Sequence, residues 1–368
     1  MFSPTLRLSF RSTNLILNCR RSICGIIEPH ISIIELFKST INTLGSTYDL
    51  NSHTSLNPYN IVNDSKLSNE FIVNVPPVSP STSLTFHDSN DSNDSKYHPL
   101  TYPIASQNEL TLSLLFDPEA LNSSPKVCTT QHGGGFELLS DDLDSYVLRL
   151  ITYFDLKEPE EEKTIDSINL YNAHQLKQGK PEYVSGEIKK FEKYGHSKYA
   201  ALRVGPFKDI YERLSIEKYL KKSTELDILS SAEVCNGKFG SASNFLFYSR
   251  MLKCLPNRED ECRDAGRNVI KTNWGVASLG VHFESEFKEV EELAGLEMGL
   301  GEFWGKVKDS ESEQANKDEE QTPRDKAIEA GRNLLDDVAF KGGDWESCRA
   351  DLRSIYKEGG MNAIADFI

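Results

Sequence analysis

Residues 129–139 read TTQHGGGFELL, and His132 followed by Gly133, Gly134 and Gly135 has the spelling of an ester-hydrolase oxyanion loop. The backbone N–H groups of such a loop stabilise the charge that develops on an ester carbonyl. That chemistry also needs a nucleophile on a sharp strand-to-helix turn, with small residues two positions to either side. The nearest downstream candidate is GHSKY (195–199). The charged, helical GEIKKFEKY precedes it, and Tyr199 stands where only a small residue leaves room. GSASN (240–244) ends on Asn244 and follows no apolar strand. Nor does an alternation of strands and helices supply a parallel sheet. HGGG is therefore read as a turn between a strand region near Val127–Thr130 and a helix from about Ser140, with glycines for positive φ.

Other chemistry-bearing residues are equally scattered. GLGEFWG (299–305) echoes a dinucleotide loop without the strand that should lead into it, and no GxxxxGK[ST] loop occurs. The eight histidines form no HxxxH or HExxH group, and the seven cysteines (19, 24, 128, 235, 254, 262, 348) show no CxxC spacing. Buried, reduced thiols are the expectation. Glu259, Asp260, Glu261 and Asp264 front a helix whose N-terminus favours negative charge. No catalytic, cofactor-binding or metal-ligating residue is nominated, and no cofactor is expected. Trp274, Trp304 and Trp345 are the candidates for partner binding; the alternative role for each is a core anchor.

The net charge of −15 disfavours nucleic acid and anionic lipid and favours basic partners or other proteins. No apolar run reaches the roughly 18 residues needed to cross a bilayer. Residues 1–27 carry Arg7, Arg11, Arg20 and Arg21, many Ser and Thr, and no acid, which is the composition of a plastid or mitochondrial transit peptide. Ile33 or Ile34, Phe37, Ile41 and Leu44 recur at helical spacing. Residues 46–107 are rich in Asn, Ser, Thr and Pro and include the low-complexity HDSNDSNDSK, so they are expected to be mostly disordered. In NELTLSLLF (108–116), alternating Leu110, Leu112, Leu114 and Phe116 predict a half-buried strand.

From about residue 139 the texture predicts helices: 138–154, 181–195 (Val184, Ile188 and Phe191 on one face), 205–220, 223–237, 241–256 and 257–273. SASNFLFYSRMLKCLP is apolar nearly all round and marks a central helix. An acidic linker, 309–322, precedes C-terminal helices at 323–340 and 344–358, the second with a stripe of Trp345, Cys348, Leu352, Ile355 and Tyr356. The closing MNAIADFI is expected to dock on the helical domain. AGRN occurs at 265–268 and 330–333, but Trp274 lies six residues after its Asn268 and Trp345 twelve after Asn333. Close helix packing at Ala-Gly explains the match without a true repeat.

EDECRDAGRNVIKTNWGVASLG (259–280) and NLLDDVAFKGGDWESCRADLRSIYKEGGMNAIADFI (333–368) resemble a family of uncharacterised plastid-associated helical proteins of plants and algae. The resemblance covers about 60 to 100 residues and rests on Trp274, Trp345, Tyr356, Gly360, Ile364 and Phe367. This chain departs from it after the first helix, where Asn273-Trp274 and Ala277-Ser278-Leu279-Gly280 stand instead of further aromatics and a Thr-Leu-Gly run. The resemblance favours the plastid over the mitochondrion and supplies no catalytic residue.

The fold expected is mainly α, an irregular helical bundle or helical-hairpin array with a disordered N-terminal third and a minor β segment near 108–130. Its parts are 1–27 (transit peptide), 28–107 (mostly disordered), 108–138 (strand and Gly-rich turn), 139–308 (helical domain), 309–322 (acidic linker) and 323–368 (C-terminal helices). The function expected is a non-enzymatic organellar protein-interaction or assembly factor; the alternative is an enzyme or small-molecule binder with a pocket assembled from distant residues.

Overall fold

The structure, a computed structural model, describes residues 24–44, 85–86, 97–107, 110–121, 123–131, 136–157, 160–194, 199–272, 283–297, 299–315, 321–341 and 344–368. The leader through residue 23, the HDSNDSNDSK run, HGGG and Trp274 lie outside them.

The chain is mainly helical and carries one antiparallel sheet. Helix α1 (Ile31–Leu44) buries Ile33, Ile34 and Phe37 of the predicted face and also Leu36, while the side chains of Ile41 and Leu44 lie outside the described ones. Strands β1 (Thr85–Phe86), β2 (Thr101–Gln107), β3 (Leu110–Leu115), β4 (Lys126–Gln131) and β5 (Phe136–Ser140) follow in sheet order β1-β2-β3-β4-β5, every pair antiparallel. Within the span expected to be mostly disordered, Thr85–Phe86 and Thr101–Gln107 form strands, and Tyr97, His98, Leu100 and Ile104 are buried. Pro103 fits in β2 because the register shifts between it and Ala105 and because β1 pairs only with Ala105 and Ser106, so no ladder partner needs its missing N–H.

Two sequence expectations fail at the sheet. All six residues of β3 are buried, so it is a central strand rather than a half-buried one. Its polar side chains are satisfied across the sheet: Ser113 Oγ lies 3.3 Å from Thr130 Oγ1, and Thr111 Oγ1 lies 2.8 Å from Ser106 Oγ. Leu138 and Leu139 belong to β5, and helix α2 (Leu143–Lys157) begins only after them. Asp142 marks the start by accepting the Ser145 N–H at 2.7 Å.

Helix α3 (Glu162–Lys177) packs against α1 and α2. The helix expected over 181–195 is a short 3-10 turn at Glu187–Tyr194 instead. Residues 181–186 are held in irregular form by specific bonds. The side chain of Asn172 exchanges two hydrogen bonds with the Tyr183 backbone (2.9 and 2.8 Å), and Gly186 takes φ +77°. Val184 is exposed as a result.

The remaining helices follow the sequence closely. They are α4 (Lys208–Leu220), α5 (Glu225–Phe239), α6 (Ala242–Lys253) and α7 (Glu259–Lys271), joined as consecutive packed neighbours. Thr224 caps α5 by accepting the Asp227 N–H, and Gly240 ends it at φ +56°; Gly237, the predicted stop, lies inside the helix. Helix α7 buries Cys262, Ala265, Gly266, Val269 and Ile270, which recur at i, i+3, i+4, i+7 and i+8. Helices α8 (Phe283–Ala294), α9 (Leu300–Ala315), α10 (Pro323–Lys341), α11 (Trp345–Glu358) and α12 (Asn362–Phe367) complete the chain. Helix α9 takes up the first half of the expected acidic linker.

The C-terminal helices also reach the segments that flank the sheet. Phe367 meets Phe116 edge-on with ring centroids 5.1 Å apart, and Arg349 donates to the Tyr97 carbonyl at 2.7 Å. Alternation along β5 explains the layering: Phe136 turns to one face, where His98 and Trp345 lie, and Glu137 turns to the other, where α4 lies.

Candidate functional site

The residues with most chemical potential meet at the start of α4. Lys208, its first residue, is buried with its Nζ donating to the Glu137 carboxylate of β5 and 3.5 Å from Glu212 Oε1 one turn on. Burial alone would lower the Lys208 pKa, but the two carboxylates outweigh it and hold the ammonium above its ordinary value. Beside it, Arg149 of α2 grips Asp209 with both guanidinium nitrogens (Nη1–Oδ1 2.7 Å) and lies 4.7 Å from the centroid of the Phe207 ring. Cys235 of α5 receives the Asn244 amide of α6 at 2.8 Å.

Ammonium, carboxylates and thiol in one cluster could in principle make a nucleophilic site. The surroundings argue against it. Burial first, and Glu212 next, push the Cys235 thiol well above its ordinary pKa, against the opposing pull of Lys208 and Asn244. The thiolate that would attack is therefore disfavoured. Two of the pairs join different elements, β5 to α4 through Glu137–Lys208 and α2 to α4 through Arg149–Asp209, while Glu212 faces Lys208 within α4. The cluster is a junction that fixes the helical body to the sheet.

Other interior charges do the same work. Asp155 accepts from Tyr183 Oη (2.6 Å), Ser185 Oγ (2.8 Å) and the Gly186 N–H (2.7 Å). Arg250 of α6 pairs with Glu289 of α8 at 2.7 Å, and Lys308 of α9 pairs with buried Asp336 of α10 at 2.8 Å. Among the described residues, no group of three His, Cys, Asp or Glu side chains is placed to hold a metal ion. Likewise, no helix among them is long and apolar enough to cross a membrane.

Of the three nominated tryptophans, two take the core role. Trp304 is buried and stacks on Phe340 (4.6 Å, planes 6° apart), with Lys308 Nζ 4.8 Å from its centroid. Trp345 is buried edge-on against His98 at 4.6 Å. Trp274 lies outside the described residues.

The surface presents a different residue. Leu226, the second residue of α5, is 76% exposed. Arg258 draws the starts of α5 and α7 together, bonding Glu225 Oε2 at 3.0 Å and Glu261 Oε1 at 2.5 Å. Leu226 thus stands between Glu225 and Asp227 in the chain, on a helix start that Arg258 ties to the acidic first turn of α7 (Glu259, Asp260 and Glu261). Sequence reading overlooked this leucine, although a signal existed. At 3.6 residues per turn it falls roughly 160° from the buried Ile228 and 180° from the buried Cys235.

Two family models match the chain in its C-terminal half. Residues 208–297 are similar to a domain described as the PAB middle domain, and residues 304–368 to one described as the PAB C-terminal domain. The first spans α4 to α8, and so holds Lys208 and Leu226; the second begins at Trp304 and runs through α12. No curated protein and no solved structure matches the chain.

Proposed function

We propose that this chain is a non-enzymatic protein-interaction or assembly factor of an organelle, the plastid in preference to the mitochondrion. One observation carries the interaction reading: a leucine 76% exposed at the start of α5, whose acidic first turn Arg258 joins to that of α7. An apolar contact rimmed by one sign of charge favours a partner of the opposite sign. The partner class is therefore a protein presenting Lys and Arg around an apolar patch, which agrees with the chain's net charge of −15. The acid-free, Arg- and Ser-rich leader supports an organellar address. The interior ion pairs, spent on joining elements, support a scaffold in which binding rather than turnover is the task.

The test compares the native size of the tagged chain in organelle extract with that of a Leu226→Arg variant, by size-exclusion chromatography at low and high salt. The expected result is a wild-type complex well above the size of the free chain, lost in the variant and weakened by salt. Elution at the free size, or a complex indifferent to both changes, overturns the reading and turns the search to a ligand pocket.

A further inference from the structure

We infer that a processing peptidase removes the basic leader ahead of Ile26, so that the mature chain begins between Ser22 and Ile26. It thereby keeps Ile26 and Ile27, which composition alone assigns to the leader. This cut presupposes the organellar address proposed above and adds its position.

Two independent boundaries coincide at this point. The first is one of composition. After Arg20 and Arg21 no lysine or arginine follows until Lys38, and Glu28 is the first acid of the chain, so the basic, acid-free stretch ends between Arg21 and Glu28. The second is one of fold. Cys24–Ile27 forms a helical turn that packs against α12, at the other end of the chain. Ile26 and Ile27 are 7% and 5% exposed and belong to the hydrophobic core. Glu28–His30 continues as a 3-10 turn and leads directly into α1. The His30 ring lies 6.0 Å from that of Phe116, which in turn meets Phe367 of α12. Residues 26–30 are thus a fixed part of the body.

A targeting segment is discarded and has no place in a folded core. Two buried isoleucines do have a place there, which moves the end of the leader from residue 27 to before Ile26. Accessibility points the same way, because proteolysis concentrates at exposed termini and spares those that are tied down. A cut after Ile27 would take two core side chains from the fold and leave α12 without the turn that packs on it. A cut between Arg21 and Ile26 leaves every buried side chain of the described core in place. It also removes four arginines and no acid, taking the formal charge from −15 to −19 and sharpening the preference for a basic partner.

The test isolates the protein from fractionated cells with an antibody to an internal peptide and reads its intact mass and N-terminal peptide by mass spectrometry. The expected product is an organellar chain that starts between Ser22 and Ile26. An organellar chain that starts at Ile27 or later, or that still carries Arg20 and Arg21, overturns the position of the cut and leaves the organellar address standing. An uncut chain found only outside the organelle overturns both. A second measurement probes the reason for the boundary in the purified full chain. Ile27→Asp should lower the melting temperature, and Arg20→Asp should leave it unchanged. Equal melting of Ile27→Asp and wild type would show that the turn adds nothing to the core and would overturn the inference.

Discussion

Gly331 of α10 lies directly against the phenol ring of Tyr356 of α11: a Cβ at that glycine would stand 2.7 Å from the hydroxyl oxygen and 2.9 Å from two ring carbons. Its counterpart in the other AGRN segment, Gly266 of α7, is as tightly placed, 2.7 Å from the Ala294 nitrogen at the end of α8. The shared letters mark two helices that each need a bare Cα where a later helix crosses.

Gly331→Ala should destabilise the fold by about 1–3 kcal/mol through overpacking. The Tyr356 hydroxyl is buried and has no hydrogen-bond partner among the described residues, so Tyr356→Phe should be neutral or slightly stabilising. Because that oxygen is the nearest atom to the added methyl group, the double variant should lose less than the sum of the singles. A double-mutant cycle in urea measures this; strict additivity would mean that the hydroxyl is not what the methyl group strikes.

Deleting residues 361–368 should cost several kcal/mol. Met361, Ile364 and Ile368 are buried, at about 1.5–3 kcal/mol for each large apolar side chain. The deletion also removes the Ile368 carbonyl that Arg349 Nη1 reaches at 2.9 Å. Chemical denaturation of the truncated chain reads the loss, and an unchanged midpoint would show that the terminus adds nothing.

Lys208→Met should destabilise by about 3–5 kcal/mol at neutral pH, because it leaves Glu137 and Glu212 buried without their shared cation. The sign of the pH dependence follows from the raised folded pKa. The ammonium's contribution is complete below the unfolded lysine value of about 10.4 and is lost as pH climbs through the higher folded value. The gap between wild type and variant should therefore hold steady through neutral pH and narrow only above about pH 10. A gap that shrinks between pH 6 and 8 would show that another group governs this junction.

Helices α4 to α7 could be read almost residue by residue, because one apolar stripe at helical spacing and a Ser, Thr or Gly boundary signal act within a few residues of each other. The α5 terminus slipped from Gly237 to Gly240 because both glycines allow a stop, and packing of Phe239 into the core extends the helix past the first. Strand β5 was concealed for a related reason. Leu138 and Leu139 adjoin Asp141 and Asp142, and acids before an apolar helix look like its first turn whether or not the leucines pair with a strand. Residues 181–186 carry a plausible helical spacing, but Asp155 and Asn172 hold them in another shape from up to thirty-one residues away.

By itself the sequence determined the mainly helical character, the helix faces that turn inward and the acidity of the surface, since each depends on local spacing and composition. Only the tertiary structure decided that Glu137 and Lys208, 71 residues apart, form one buried pair. It also decided that Trp304 and Trp345 close the core and that Leu226 stands outside it. Long-range pairing leaves no periodic trace in the chain, and whether an apolar side chain is covered depends on which distant element arrives to cover it.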